Sequence, residues 1–204
     1  MIFSFKDYAE VRASLKEADQ KIAVITFGRF NPPTSGHVKV MESLSRIAKK
    51  YNGVPMVFLS HSQDAKKNPL SYQDKLKYVR LASPSGVRVV ETQAKTIYDV
   101  VYFLSLTSVK KVVIIVGSDR VAEFERIEKY AEKYNMDEIR IVSAGNRGEG
   151  SLDNIENVSA SALRKLAHDG KMKEFVRYSA LSHIPNEAEE MYFKVRAGLG
   201  LTDN

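Results

Sequence analysis

The chain has no cysteine. Disulfides, thiolate metal sites and cysteine nucleophiles are therefore excluded, and the absence suits a reducing, cytoplasmic setting. Long apolar runs are also missing. The strongest, Val112-Val113-Ile114-Ile115-Val116, has the length of a strand and falls far short of a bilayer span, so no membrane partner is expected. Histidine is scarce. His37, His61, His168 and His183 stand far apart with no metal-ligand spacing, and no carboxylate cluster suggests a protein-held ion. The first twenty residues mix Lys6, Asp7, Glu10, Arg12, Lys16 and Glu17 with apolar positions. That pattern suits a short amphipathic helix and not the apolar core of a signal peptide. An RNP-like aromatic-basic motif and a zinc-finger pattern are absent too, so nucleic-acid binding has only charge to recommend it.

What is present is the balance of a globular protein: 204 residues, 44% apolar and 27% charged. That length suits one well-cored domain over 1–204. The net charge is +6. Between Leu44 and Arg80, eight basic residues stand against Asp64 and Asp74 alone. Such a sector points to an anionic partner, either nucleic acid or a multiply charged small ligand. A solvated face accounts for the charge equally well.

Short β-branched runs alternate with amphipathic stretches along the chain. The pattern predicts strands at Ile22–Phe27, Pro55–Ser60, Val87–Glu91, Val112–Val116 and Ile139–Val142. It predicts helices at His37–Tyr51, Tyr72–Ala82, Ile97–Leu106 and Arg120–Tyr134, with Ser71 and Asp74 as a capping box for the second. Alternation with apolar strands implies an α/β, doubly wound, Rossmann-like sheet of five parallel strands over 21–143. Ligands of such sheets bind at the carboxyl ends of the strands. The stretch from Ala144 to Ser151 is glycine-rich and reads as a mobile loop. A helical C-terminal tail follows, with helices at Ser161–Asp169, Met172–Tyr178 and Asn186–Ala197.

Three places carry candidate chemistry. Immediately after the first strand comes Gly28-Arg29-Phe30-Asn31-Pro32-Pro33-Thr34-Ser35-Gly36-His37. Gly28 allows close backbone approach to a ligand, the prolines stiffen the loop, and Thr34 or Ser35 can cap the next helix. That helix opens with His37 and Lys39 where carboxylates are usual. Cations there oppose the macrodipole unless an anion binds between them. A capped helix with a surface histidine also fits. Asn157-Val158-Ser159-Ala160-Ser161-Ala162-Leu163-Arg164-Lys165 repeats the anomaly. Ser161 and Arg164 share a face there, and hydroxyls, free N–H groups and a guanidinium make a polyphosphate cradle. An arginine turned to solvent is the plain alternative. The third place is Gly117-Ser118-Asp119, after the most apolar strand. Its carboxylate can take ribose hydroxyls or simply cap a helix.

Together these segments resemble the nucleotidylyltransferase family, with its (H/T)-x-G-H and I-S-S-T-x-x-R signatures. Thr34-Ser35-Gly36-His37 is similar to the threonine variant of the first, and Val158-Ser159-Ala160-Ser161-Ala162-Leu163-Arg164 to the second. Gly28-Arg29-Phe30 resembles the opening of archaeal-type nicotinamide-nucleotide adenylyltransferases, and Gly117-Ser118-Asp119 the family's G-x-D. The likeness spans Ile22 to Asp169. Two departures stand out: Ala160 replaces a serine, and Thr34 replaces the first histidine.

The resemblance implies in-line attack by an acceptor phosphate on the α-phosphorus of a nucleoside triphosphate, without a covalent enzyme intermediate. On that basis His37 and Thr34 serve the α-phosphate, and Arg164, Ser159 and Ser161 hold the β- and γ-phosphates. Arg29 bridges triphosphate and acceptor. Asp119 takes the ribose, while Gly28, Phe30 and Gly36 form the nucleotide wall. Lys66 and Lys67 either reach the acceptor phosphate or face solvent. Mg2+ is expected to ride on the triphosphate. ATP with nicotinamide mononucleotide is the first expectation for the substrates, and a cytidylyltransferase using CTP is the runner-up. The rival of another class is a non-catalytic nucleic-acid-binding protein on the same fold. The chain is too short for a class I aminoacyl-tRNA synthetase and lacks a K-M-S-K-S-like loop. Assembly as a homo-oligomer is compatible with every one of these readings.

Overall fold

The computed structural model describes residues 9, 11–13, 21–144 and 158–201. Most of the expected glycine-rich loop, and Asn157 before the second signature, lie outside the described residues. Of the expected N-terminal helix, positions 9 and 11–13 are described and helical, with Val11 buried. Two compact units emerge. One comprises Met1–Gly28, Val40–Ser60 and Pro84–Asn146; the other comprises Arg29–Lys39, His61–Ser83 and Arg147–Asn204.

The first unit holds the sheet. Strands β1 (Ile22–Gly28), β2 (Val54–Leu59), β3 (Arg88–Val90), β4 (Lys111–Val116) and β5 (Glu138–Ser143) lie in the order β3-β2-β1-β4-β5. Every pair is parallel. The strand order runs one way from β1 to β3 and the other way from β4 to β5, as in a doubly wound Rossmann-like fold. Val24 sits opposite Pro55 on one side and Val113 on the other. The strands read as nearly continuous apolar runs because both faces are covered: Ile25, Phe58, Val112 and Ile114 are fully buried in the core of this unit.

Helix α1 (Ser35–Tyr51) leaves the first loop, and α2 (Tyr72–Ala82) follows β2. At the start of α2 the Ser71 hydroxyl accepts from the Asp74 N–H at 3.1 Å and donates to its carboxylate at 2.6 Å. Helix α3 (Ile97–Ser105) has a full capping box. Thr96 Oγ1 accepts from the Asp99 N–H at 3.2 Å, and Asp99 Oδ2 accepts from the Thr96 N–H at 2.9 Å.

The expected helix over Arg120–Tyr134 does not form as one element. The chain runs through a 3-10 turn at Ser118–Arg120, a single α-turn α4 (Val121–Phe124), and further 3-10 stretches at Glu125–Tyr130 and Glu132–Tyr134. The reason lies in the apolar spacing. Phe124, Ile127 and Tyr130 recur every three residues, which aligns them on a helix of three residues per turn and not on one of 3.6. Asn135, at φ 52°, ends the run in the left-handed region.

In the second unit, α5 (Ala160–His168), α6 (Met172–Tyr178) and α7 (Pro185–Gly198) form the C-terminal tail. Phe175 of α6 meets Tyr192 of α7 edge to face at 5.4 Å. Among the described residues no helix is long and apolar enough to cross a membrane.

Candidate active site

The second unit gathers most of the candidate side chains. Thr34 is buried at the N-cap position of α1. Its backbone carbonyl accepts from the His37 N–H at 2.9 Å, with Oγ1 at 3.4 Å from the same nitrogen. The imidazole answers: Nδ1 accepts from the Thr34 N–H at 3.0 Å and lies 2.9 Å from Oγ1. This is a capping box in which an imidazole takes the part usually played by a carboxylate. A backbone N–H can only donate, so Nδ1 must be the bare nitrogen and the neutral ring carries its proton on Nε2. That leaves Nε2–H as a donor at a helix start whose first turn holds no acidic residue.

Phe30 fixes the same ring from another side. Its ring centroid lies 4.6 Å from that of His37, tilted by 35°. Phe30 is buried and its φ is 47°, a left-handed conformation that costs a bulky residue about 1 to 2 kcal/mol. Burial of the ring offsets that cost. Phe30, expected as a wall of the nucleotide site, thus packs against the imidazole.

Asn31, whose part no local pattern signals, ties three segments together. It is 1% exposed. Its Nδ2 donates to the Leu70 carbonyl at 3.1 Å, and its Oδ1 accepts from the Leu70 N–H at 2.9 Å. Its own carbonyl accepts from Arg164 Nη1 at 2.8 Å. Nearby, Thr34 forms an antiparallel bridge with buried Ser179, and Pro33 O accepts from Ala180 N–H. These partners lie tens of residues or more away in the chain, so no local pattern could signal them.

Arg164 projects from α5. Ser159 caps that helix, accepting from the Ala162 N–H at 3.1 Å, and Arg164 Nη2 donates to Ser161 Oγ at 2.8 Å. The guanidinium is thus held at both terminal nitrogens. Partial burial pulls its pKa below the ordinary value, the charge of Arg29 adds to that, and Asp64 opposes it. A guanidinium held in this way on a helix whose first turn carries no acidic residue marks a place where an anion would be stabilised. Lys165, by contrast, pairs with Asp169 at 2.7 Å and is drawn to the far end of α5.

The segment 61–70 completes this unit's cationic rim. Asp64 and Asn68 exchange backbone bonds, and Asp64 Oδ1 accepts from the N–H groups of Lys66 at 2.9 Å and Lys67 at 2.7 Å. Those bonds, with that of Lys67 foremost, hold the exposed carboxyl down to about 2. The turn presents Lys66 and Lys67 outward, both exposed. Its base is held by Lys75, a fully buried lysine whose Nζ donates to the Ser62 carbonyl at 3.2 Å. Burial brings that ammonium down to about 8. His61 stacks on Tyr72 beside it at 3.8 Å.

Two further candidates belong to the first unit. Gly28 ends β1, its carbonyl accepting from the Ser60 N–H at 2.9 Å. Asp119 lies in the 3-10 turn after β4, whose N-cap position is taken by Gly117; its side chain is outside what the structure describes. Gly36 is the second residue of α1. Among the described residues no group of three or more histidine, aspartate or glutamate side chains could hold a metal ion.

Among curated proteins, none matches the chain. Among solved structures, it is similar to the crystal structure of a putative nicotinate-nucleotide adenylyltransferase from Vibrio parahaemolyticus. That match has 18% identity and a TM-score of 0.56, and covers 84% of this chain and 99% of the other. At that identity the likeness speaks for the fold. The family model described as cytidylyltransferase-like matches residues 25–182, from β1 to just past α6 and through both signatures. With most of its length matched in this way, the chain belongs to the cytidylyltransferase-like family of the nucleotidylyltransferase superfamily.

Proposed function

We propose that the protein transfers AMP from ATP to the phosphate of a small acceptor and releases pyrophosphate. Nicotinamide mononucleotide is the acceptor we favour, which makes NAD the product. The observation that carries this reading is Arg164, fixed by the Asn31 carbonyl and by Ser161 Oγ, each at 2.8 Å, on a helix whose first turn holds no acidic residue. Arg164 belongs to the same unit as the Thr34–His37 cap. A polyphosphate is the anion that such a group of donors suits best.

In the proposed reaction an acceptor phosphate oxygen attacks the α-phosphorus in line. The new P–O bond forms as the bond to the β-phosphate breaks, and pyrophosphate leaves with the electron pair. Such chemistry asks the protein for positioning and charge stabilisation. His37 Nε2–H and Thr34 would donate to the α-phosphate oxygens as charge builds there. Arg164, Ser159 and Ser161 would hold the β- and γ-phosphates, and Arg29 would reach toward the acceptor. Gly28, Phe30 and Gly36 would form the nucleotide wall and Asp119 would take the ribose, as the family resemblance implies. Mg2+ would arrive on the triphosphate as part of the substrate, since Asp64 already spends Oδ1 on the Lys66 and Lys67 N–H groups and Oδ2 on the Asn68 side-chain amide.

A second reading, transfer of CMP from CTP, is favoured by the description of the matched family. A pyrophosphate-release assay with ATP and CTP against a panel of phosphorylated acceptors, nicotinamide mononucleotide among them, tests both. ATP consumption dependent on one acceptor is the expected result. Absence of pyrophosphate with every pair would sink the enzyme reading.

A further inference from the structure

Helix α7 begins at Pro185, beyond the stretch that the family model matches. Besides the packing of its Tyr192 on Phe175 of α6, it makes three further sets of contacts within its unit. Along one side it is tied to α2: Lys77 reaches Glu187 at 2.9 Å and Glu190 at 2.6 Å, Tyr78 OH donates to Glu190 at 3.2 Å, and Lys194 lies 3.9 Å from Asp74. Toward α5, Arg196 Nη1 donates to the Ala167 carbonyl at 2.7 Å. At its end, Gly198 packs directly on Pro69. A methyl group at Gly198 would overlap the Pro69 carbonyl oxygen and come within 2.7 Å of its carbon and 2.8 Å of its Cβ.

These contacts fall on the two elements that flank the proposed phosphate site. Ala167 belongs to the helix that carries Arg164, and Pro69 adjoins both Leu70, which Asn31 grips, and the turn that carries Lys66 and Lys67. The surface ion pairs to α2 are each worth little, since exposed pairs contribute at most about 1 kcal/mol. The contacts that leave least slack are those made to the backbone at Ala167 and Pro69. Glycine at 198 permits the second, because any side chain would push the backbone of Pro69 away.

We propose that α7 is a brace that sets the segment 61–70 at a fixed distance from α5, with Gly198 and Arg196 as its positioning residues. On the nucleotidyl-transfer reading, on which this role rests, the brace holds the acceptor-side lysines in register with the triphosphate grip. Each end then governs a different substrate. Displacing Pro69 moves the lysine turn, while releasing Ala167 loosens the helix of Arg164.

The test compares the full-length parent with Gly198→Ala and Arg196→Ala. Amide hydrogen exchange needs no ligand and comes first. Gly198→Ala should speed exchange at Lys66, Lys67, Asn68 and Leu70 by about tenfold while the amides of α5 keep their protection. Arg196→Ala should reverse that pattern, exposing the last turn of α5 and sparing the 66–70 amides. In kinetics, Gly198→Ala should raise the acceptor KM by about tenfold and leave ATP binding, measured by calorimetry, within about twofold. Arg196→Ala should weaken ATP binding more than it raises the acceptor KM. Unchanged exchange at 66–70 in Gly198→Ala would overturn the brace, as would equal loss of protection throughout both units. If the parent neither binds nor consumes a triphosphate, the functional reading fails by itself, and the exchange data still decide the brace.

Discussion

Thr34 and His37 cap one another across the first turn of α1: the threonine's oxygens receive the histidine N–H, and the imidazole Nδ1 receives the threonine N–H at 3.0 Å. The partners stand three positions apart, the spacing of a capping box. The spacer Ser35-Gly36 therefore serves to bring the ring back over its own cap. The exchange also sets the tautomer, since an Nδ1 that accepts leaves the proton on Nε2.

His37→Ala should therefore cut turnover by at least about a hundredfold, the scale of losing one transition-state donor. Binding of ATP should fall much less. Steady-state kinetics alongside calorimetry check this, and turnover within a few-fold of the parent would remove His37 from the chemistry.

Arg164 is held by the Asn31 carbonyl and by Ser161, a fork that a lysine cannot reproduce. Arg164→Lys should lose about tenfold or more in activity although the charge is kept. AMP lacks the phosphates that Arg164 would hold, so its binding should barely change. Equal weakening of ATP and AMP would show that the residue only supports the fold.

Lys75 gives a pH dependence with a definite sign. Burial lowers its pKa from 10.5 to about 8, so between those values the unfolded chain holds a proton that the folded chain has released. Stability from this group then rises as pH climbs from about 8 toward 10.5 and is flat below 8. Denaturant unfolding at pH 7 and pH 10 should show the parent gaining relative to Lys75→Met. A difference that stays constant with pH would mean that the lysine is not desolvated in the folded protein.

Charge alone leaves a nucleic-acid platform as the competitor, and ligand-linked stability separates the two. ATP or CTP with magnesium should raise the melting temperature by mass action, and the His37→Ala, Arg164→Ala double variant should lose that shift. Oligonucleotides should bind weakly, with steep salt dependence, and not at all once Lys49, Lys50, Lys66 and Lys67 become Gln. An oligonucleotide that stabilises the protein at physiological salt, with no effect from millimolar triphosphate, would reverse the assignment.

Much of the fold was legible in the chain because its signals are local. Alternating apolar strands and amphipathic helices marked all five strands, and the T-x-G-H and S-A-S-A-L-R stretches marked two helix starts that lack acidic residues. The capping box of Thr96 and Asp99 is equally local. Between Arg120 and Tyr134 the helical expectation failed because Phe124, Ile127 and Tyr130 follow a period of three, which a reading for 3.6 does not separate over so short a run.

Sequence by itself determined which residue types stand at each helix start, since capping and macrodipole arguments need only neighbours three or four positions apart. Tertiary structure alone decided what those residues face. Arg164 meets the Asn31 carbonyl across 133 positions, and Asn31 meets Leu70 across 39. Phe30 packs against the ring of His37, and Gly198 meets Pro69. Such pairings have no period and no motif. They exist because a buried amide must find both a donor and an acceptor, and because a close helix approach excludes a side chain; which partner satisfies them depends on where the whole chain has packed.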